Sequence, residues 1–376
     1  MLPIATAPKE IAWGCLVAIS IIRALRIRDC YAGLFKNHTL WLLFAWTAWH
    51  SISILWSLDQ QTGLNELKTF RVVVIPILLW PVLGQVRLFI GAFLIGVVFA
   101  NFIQLTQYFH WFGNKPVFAE RLNGWIHAIH TATVCGAAIC WHLSAVIKGR
   151  GWLRWLSVVG AIIAAAGLIM TGSRGPWIAT AIALLIGFVW FCAKGYLPMK
   201  TVIVIVVVGV IGGGAAWFAK GDFIENRIEQ TITQLQQAMD GDFDSDVGTR
   251  LARWSGAWKI FTKSPLQGSG AGGFGKAIGE LGLGDLSLEE HHAHSVYMQV
   301  LATTGAIGAI IIAALFILAL TARGSPKLDN VFSYGTKLVI VIWLIGAVFD
   351  AYHLNGNMFG LFTFVLALSF SEGEQV

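Results

Sequence analysis

Apolar residues run along this chain in long blocks rather than at the spacing of a water-facing fold. A helix needs about 20 residues to cross a hydrocarbon core about 30 Å thick. Blocks near that length recur at 10–27, 40–57, 70–83, 87–110, 127–147, 152–170, 175–193, 200–219, 295–321, 336–350 and 355–371. The pattern predicts an all-α polytopic membrane protein with about eleven or twelve transmembrane helices in one bundle, because a backbone in lipid must satisfy its own hydrogen bonds. The block at 70–83 is short and carries Pro76 and Pro81, which predicts a tilted, kinked or re-entrant segment. The opening residues, MLPIATAPKE, lack the basic stretch and short apolar run of a cleavable signal.

One segment breaks the pattern. Residues 220–294 hold eleven of the twenty Asp and Glu, with seven Lys and Arg. The chain thus divides into an N-terminal transmembrane bundle at 1–219, a loop domain at 220–294 and C-terminal transmembrane helices at 295–376 that complete the same bundle. Within the loop domain, 222–240 places Phe223, Ile224, Ile228, Ile232, Leu235 and Met239 at helical spacing, and 249–261 does so with Leu251, Trp254, Trp258 and Phe261. Both predict amphipathic helices, laid on the membrane surface or packed together as a lid. The following SPLQGSGAGGFG predicts a flexible connection.

Composition agrees: 56% hydrophobic residues, 12% charged and a mean hydropathy of +0.70 exclude an ordinary soluble domain. Membrane lipids are the expected surroundings, and no nucleic-acid partner is expected. Charge sets the sidedness. Thirteen Lys and Arg fall in one set of short connections and six in the other, so the richer set is cytoplasmic and 220–294 faces outward. Eleven spans then put the N-terminus outside, which makes a twelfth helix plausible. The five cysteines avoid the outer loop, so no disulfide framework is indicated.

Three motifs invite readings that their setting does not support. GSGAGG (268–273) fits a dinucleotide fingerprint but follows a helix pattern and lacks a surrounding βαβ unit. The acidic DSD at 244–246 resembles a metal and sugar-nucleotide motif, yet in an outer loop it reads as a solvated turn. HHAH (291–294) offers imidazoles, but adjacent histidines cannot all converge and no Cys or i,i+4 His completes a set, so no metal is expected.

Three outward helix starts carry more chemistry. In MTGSRGPWIATAIALL (170–185), Pro176 suits a first turn, so a span begins just after Arg174. The free N–H groups and the positive dipole end reinforce Arg174 as a phosphate or pyrophosphate ligand; a headgroup-seeking arginine is the plainer alternative. In VGTRLARWSG (247–256), Thr249 suits an N-cap and puts Arg250 in the first turn. In EEHHAHSVYMQVLATTGAIG (289–308), His294 stands where a span begins, and a helix N-terminus disfavours imidazolium and keeps a neutral ring available as a base. Gly305 and Ala309 form a small-xxx-small step for close approach of a neighbouring helix.

These motifs belong together. His294 and Ser295, nine further residues, then Gly305 and Gly308 match the pattern His-(Ser/Asn), nine residues, Gly-x-x-Gly; TGSRGPW resembles a Ser-Arg-Gly helix start, and TRLARWSGAWKIFTKSPLQGSGAGGF an Arg, Trp, Pro and Gly-rich block. Over about residues 120–310 the chain resembles the bacterial O-antigen ligase and polymerase superfamily. The resemblance implies a metal-independent, inverting membrane glycosyltransferase of the C type in the inner membrane, with a periplasmic active site and no cofactor. It implies a glycan on undecaprenyl pyrophosphate as donor and, in the ligase branch, lipid A–core as acceptor, giving lipopolysaccharide. Carried over by position, His294 is the base or acceptor-positioning residue, Arg174 and Arg250 hold pyrophosphate, and Lys68 is a further donor-side cation that Arg71, one turn away, can replace. Ser295 stands where Asn is common in the motif. Arg121, in AERLNGWIHAIH, faces the same side and is a donor contact; Asp350 and His353, in FDAYHLNG, read as caps of the bundle.

Two other functions compete. A polymerase or a protein O-oligosaccharyltransferase keeps the donor and changes the acceptor. A transporter of lipid-linked glycan or a small anion explains the outward cations but predicts polar groups within the spans and a repeat of topology, neither of which the sequence displays.

Overall fold

The computed structural model describes residues 11, 14–15, 17–22, 31–111, 121–149, 151–194, 225–226, 228–282, 292–321 and 330–370. Most of the expected span at 10–27, the span at 200–219, and Glu289, Glu290 and His291 lie outside the described residues. The main helices are α1 (His38–Ser53), α2 (Gln60–Phe70), α3 (Val86–Tyr108), α4 (Ala128–Lys148), α5 (Trp152–Met170), α6 (Arg174–Ala193), α7 (Asp246–Lys263), α8 (Phe274–Glu280), α9 (Val296–Thr321), α10 (Asn330–Gly346) and α11 (Gly356–Ser369). Among the described residues there is no β-strand, and five helical runs are long and apolar enough to cross a membrane. The result is an all-α polytopic membrane protein.

Apolar blocks locate these helices to within a few residues, except where proline and capping intervene. The helix expected over 70–83 begins at Gln60, where the Asp59 carboxylate accepts the Thr62 N–H at 3.2 Å. It then loosens into 3-10 turns at Arg71–Val74 and Trp80–Gln85 around the short helix Ile75–Leu79. Pro76 and Pro81 each stand at the second position of one of these pieces and lack a donor, so the α-helical ladder pauses before α3. Lys68 accordingly lies in the last turn of α2 and Arg71 caps it.

α4 is the axis of the bundle. Its small residues, among them Ala132, Cys135, Ala137 and Ala138, are buried and let α5, α6 and α10 pack closely around it. The spans do hold polar groups, contrary to the reading from sequence: Asn101 donates to the Ile163 carbonyl at 2.9 Å, Gln104 to those of Leu122 and Gly167, and Gln107 to that of Gly124. Each joins α3 to a neighbouring segment, so these amides fasten helices together. α11 is buried along most of its length, with the Phe362 ring tilted 4.6 Å from that of Trp343 of α10.

The glycine-rich connection is ordered rather than flexible. It lies between the start of α2 and the middle of α9, where Gly305 adopts φ +66° and kinks the helix. The kink frees backbone groups, and the connection takes them up: Ala306 N–H donates to Pro265 O at 2.8 Å, while Ser269 and Gly270 N–H donate to Ala302 O and Thr303 O. Gly268, Gly270 and Gly272 all have positive φ, and a Cβ on them would meet the backbone of Thr303, Ser57 and Gly63. The close partner of Gly305 is thus the Leu266 backbone, not a neighbouring helix.

α7 also departs from its expected face. It buries Ala252, Gly256, Ala257 and Ile260 towards α8 and α9, leaving Trp258 exposed. Small residues permit that closer seat, while Trp254 and Phe261 stay partly buried at its edge. The apolar stripe Ile228, Ile232, Leu235 and Met239 on the preceding helical stretch is exposed as well.

Candidate functional site

His294 stands one residue before Ser295, the residue that opens α9. Ser295 is buried; its carbonyl accepts the Gln299 N–H at 3.0 Å and its hydroxyl faces the Met298 N–H. Ser295 therefore serves the helix start. The next residue, Val296, donates its N–H to Ala347 O at 2.8 Å, which fixes the start of α9 against the end of α10. Three residues past that carbonyl comes Asp350.

This geometry brings a carboxylate to the histidine. Nδ1 of His294 lies 3.5 Å from Oδ1 of Asp350, and Nε2 of His130, on α4, lies 3.3 Å from Oδ2. Tyr352, two residues on, meets Thr133 Oγ1 at 2.5 Å, so the Asp350 turn is tied to α4 twice. Burial raises the pKa of Asp350, but His130 and His294 at its two oxygens outweigh that and hold it well below the ordinary carboxylate value. His294 has φ +48°, an uncommon backbone for a non-glycine residue, and its ring meets that of His292 edge-on at 4.4 Å. Alternate histidines of HHAH do converge, because the left-handed turn at His294 folds the segment back.

A second cluster gathers the arginines. Arg174 is the first residue of α6, as expected, and it donates to Thr231 Oγ1 and, at 3.5 Å, to Gln234 Oε1. Arg174 and Arg121 also flank one carboxylate, Asp246, at 3.9 and 3.6 Å. The acidic turn read from sequence is therefore the first residue of α7, placed between two cations. Its side chain is 59% exposed, so these contacts are weak and displaceable.

α7 connects the clusters. Its N-cap is Ser245, whose hydroxyl accepts the Gly248 N–H at 3.0 Å, four residues earlier than the expected Thr249. Arg250 consequently lies in the second turn, on the same face as Asp246 by i,i+4 spacing. A further turn along, Trp254 Nε1 donates to Ala293 O at 3.1 Å, beside His294. From Asp246 to Trp254 the rise is about 12 Å, with Arg250 midway. His127 caps α4 with its ring tilted 5.4 Å from that of His130, and burial, with His130 next, lowers its pKa.

Among the described residues Lys68 joins neither cluster; its Nζ donates to Asn65 Oδ1 at 2.8 Å on an exposed turn. Thr69, beside it, donates to Leu354 O at 3.2 Å and so places the end of α2 against the Asp350–Leu354 connection, with Arg71 at the C-cap. Sequence reasoning missed Asp350 and His130 as site residues. The available signal was an acid or histidine isolated beside otherwise apolar spans.

The fold and this polar end define the class: a multi-pass, all-α membrane protein that carries an arginine cluster and a histidine and carboxylate pair. Residues 159–313 match the family model described as O-antigen ligase, a match that supports the resemblance to the O-antigen ligase and polymerase superfamily. The match includes Arg174, Arg250 and His294; Lys68, Arg71, Arg121, His130 and Asp350 lie outside it. No curated protein matches the chain.

Proposed function

We propose that the protein is an O-antigen ligase, moving a glycan from undecaprenyl pyrophosphate to a lipid A–core sugar on the periplasmic face of the inner membrane. The observation that carries the reading is the route along α7 from the Arg174–Asp246–Arg121 cluster, past Arg250, to the His294–Asp350 pair. One end suits a pyrophosphate and the other a hydroxyl to be deprotonated, and the two turns of α7 from Asp246 to Trp254 link them.

Asp350 at Nδ1 favours the tautomer with its proton there, which leaves the lone pair on Nε2 of His294. That nitrogen takes the proton of the acceptor hydroxyl as its oxygen bonds to the anomeric carbon. The bond from that carbon to the pyrophosphate oxygen breaks, and the electron pair leaves with the lipid. Arg174, Arg250 and Arg121 stabilise the departing charge, with Lys68 or Arg71 as an outer cation on the donor side. A single displacement from the opposite face inverts the centre. No metal or nucleotide enters the step. The exposed stripe Ile228, Ile232, Leu235 and Met239 suits the lipid interface from which both substrates arrive.

Purified protein, undecaprenyl-pyrophosphate glycan and lipid A–core, in EDTA without nucleotide, test the assignment. Glycosylated lipid A–core is expected. Growth of a lipid-linked polymer without it would make the enzyme a polymerase, and transfer to a Ser or Thr peptide alone would make it a protein glycosyltransferase.

A further inference from the structure

We propose that His292, His294 and Asp350 form a site for a divalent transition metal, zinc above all, and that the bound ion blocks the histidine used for transfer. The proposal of a blocked reaction rests on the ligase reading; the metal site itself does not. One ligand atom from each of the three residues lies within 4.8 Å of the other two. His294 Nδ1 and Asp350 Oδ1 are already 3.5 Å apart, close to the edge of a tetrahedron with bonds of about 2.0–2.2 Å. The His292 and His294 rings meet at 4.4 Å, so a small rotation brings the third donor in.

The surroundings favour an ion. Asp350 Oδ2 faces His130 at 3.3 Å and Oδ1 accepts the Ala351 N–H at 2.8 Å, so an outer shell already orients the carboxylate. Two imidazoles and one carboxylate form a set that suits zinc, cobalt, nickel or copper, whereas magnesium and calcium prefer oxygen ligands. The three side chains are largely buried, and a tetrahedral ion held by three protein ligands takes water as its fourth.

Occupancy and transfer are incompatible on this geometry. A metal on Nδ1 removes the proton that Asp350 orients, makes the imidazole a weaker base at Nε2 and spends the carboxylate on the ion. Zinc would therefore act as an inhibitor whose removal restores activity.

The test uses the full chain in lipid nanodiscs. Cobalt chloride should give saturable visible ligand-field bands of a tetrahedral ion, bleached by one equivalent of zinc chloride and unaffected by magnesium chloride. Zinc should protect His294 from diethyl pyrocarbonate, read by peptide mass spectrometry. His292→Asn keeps an acceptor for the His294 N–H, now met by His292 Nδ1 at 3.3 Å, but removes a ligand, and should weaken zinc binding at least ~10-fold. His292→Ala is the second variant, and zinc inhibition of transfer, taken as a ratio within each variant, should fall in parallel. No saturable cobalt bands, undiminished binding in both variants, or a reaction that EDTA abolishes would each overturn the proposal. Binding and protection without transfer in any preparation would support the metal site and count against the ligase reading alone.

Discussion

Nδ1 of His294 faces Oδ1 of Asp350 at 3.5 Å, although the helical hairpin of α9 and α10 separates the two in sequence. The carboxylate holds the ring from one side while His130 holds the carboxylate from the other. Asp350→Asn preserves shape but offers an amide in place of the anion, which favours the wrong tautomer. Transfer should fall by about 10²–10⁴-fold, as for orienting acids of comparable pairs, while donor affinity stays within about twofold. Single-turnover transfer and equilibrium donor binding check this; equal losses in both would make Asp350 a structural residue.

On the proposed function, Asp246 competes with the donor pyrophosphate for Arg121 and Arg174. With the carboxylate 3.6 Å from Arg121 and 3.9 Å from Arg174, donor binding must displace it. An exposed pair is worth at most about 1 kcal/mol, so Asp246→Asn should tighten donor binding by about two- to fivefold, an effect that shrinks at high salt. Arg174→Ala and Arg250→Ala should weaken donor binding. Weaker binding in Asp246→Asn would show that the carboxylate positions the arginines rather than competes for them.

Gly305 anchors the glycine-rich connection to α9. Any side chain there is strained at φ +66°, at a cost of about 1–3 kcal/mol before its clash with the Leu266 backbone. Gly305→Ala should therefore lower the thermal midpoint and transfer together. Gly91→Ala, in α3 with nothing within 4 Å, should leave both unchanged or slightly raise the midpoint. Differential scanning in detergent distinguishes them.

Much of this was legible in the sequence. Apolar blocks located most helices because bilayer thickness sets their length, and Pro176 announced α6 with Arg174 at its head. The helix that carries Arg250 starts earlier than Thr249 implied: Ser245 competes for the same capping role and takes it. The join between His294 and Asp350 was not legible. It depends on a long-range hydrogen bond from Val296 to Ala347 and on a left-handed residue, neither of which leaves a periodic trace. The same holds for the connection at 264–273, where glycines that read as freedom instead admit two backbones at close range.

The central claim is that His294 performs the proton transfer while the arginines hold the donor. Its most direct test compares wild-type protein and His294→Ala in reconstituted transfer from undecaprenyl-pyrophosphate glycan to lipid A–core, with donor affinity measured on the same samples. The account predicts donor binding within about twofold of wild type and a fall in transfer of at least about 10²-fold; transfer by the variant at the wild-type rate would contradict it.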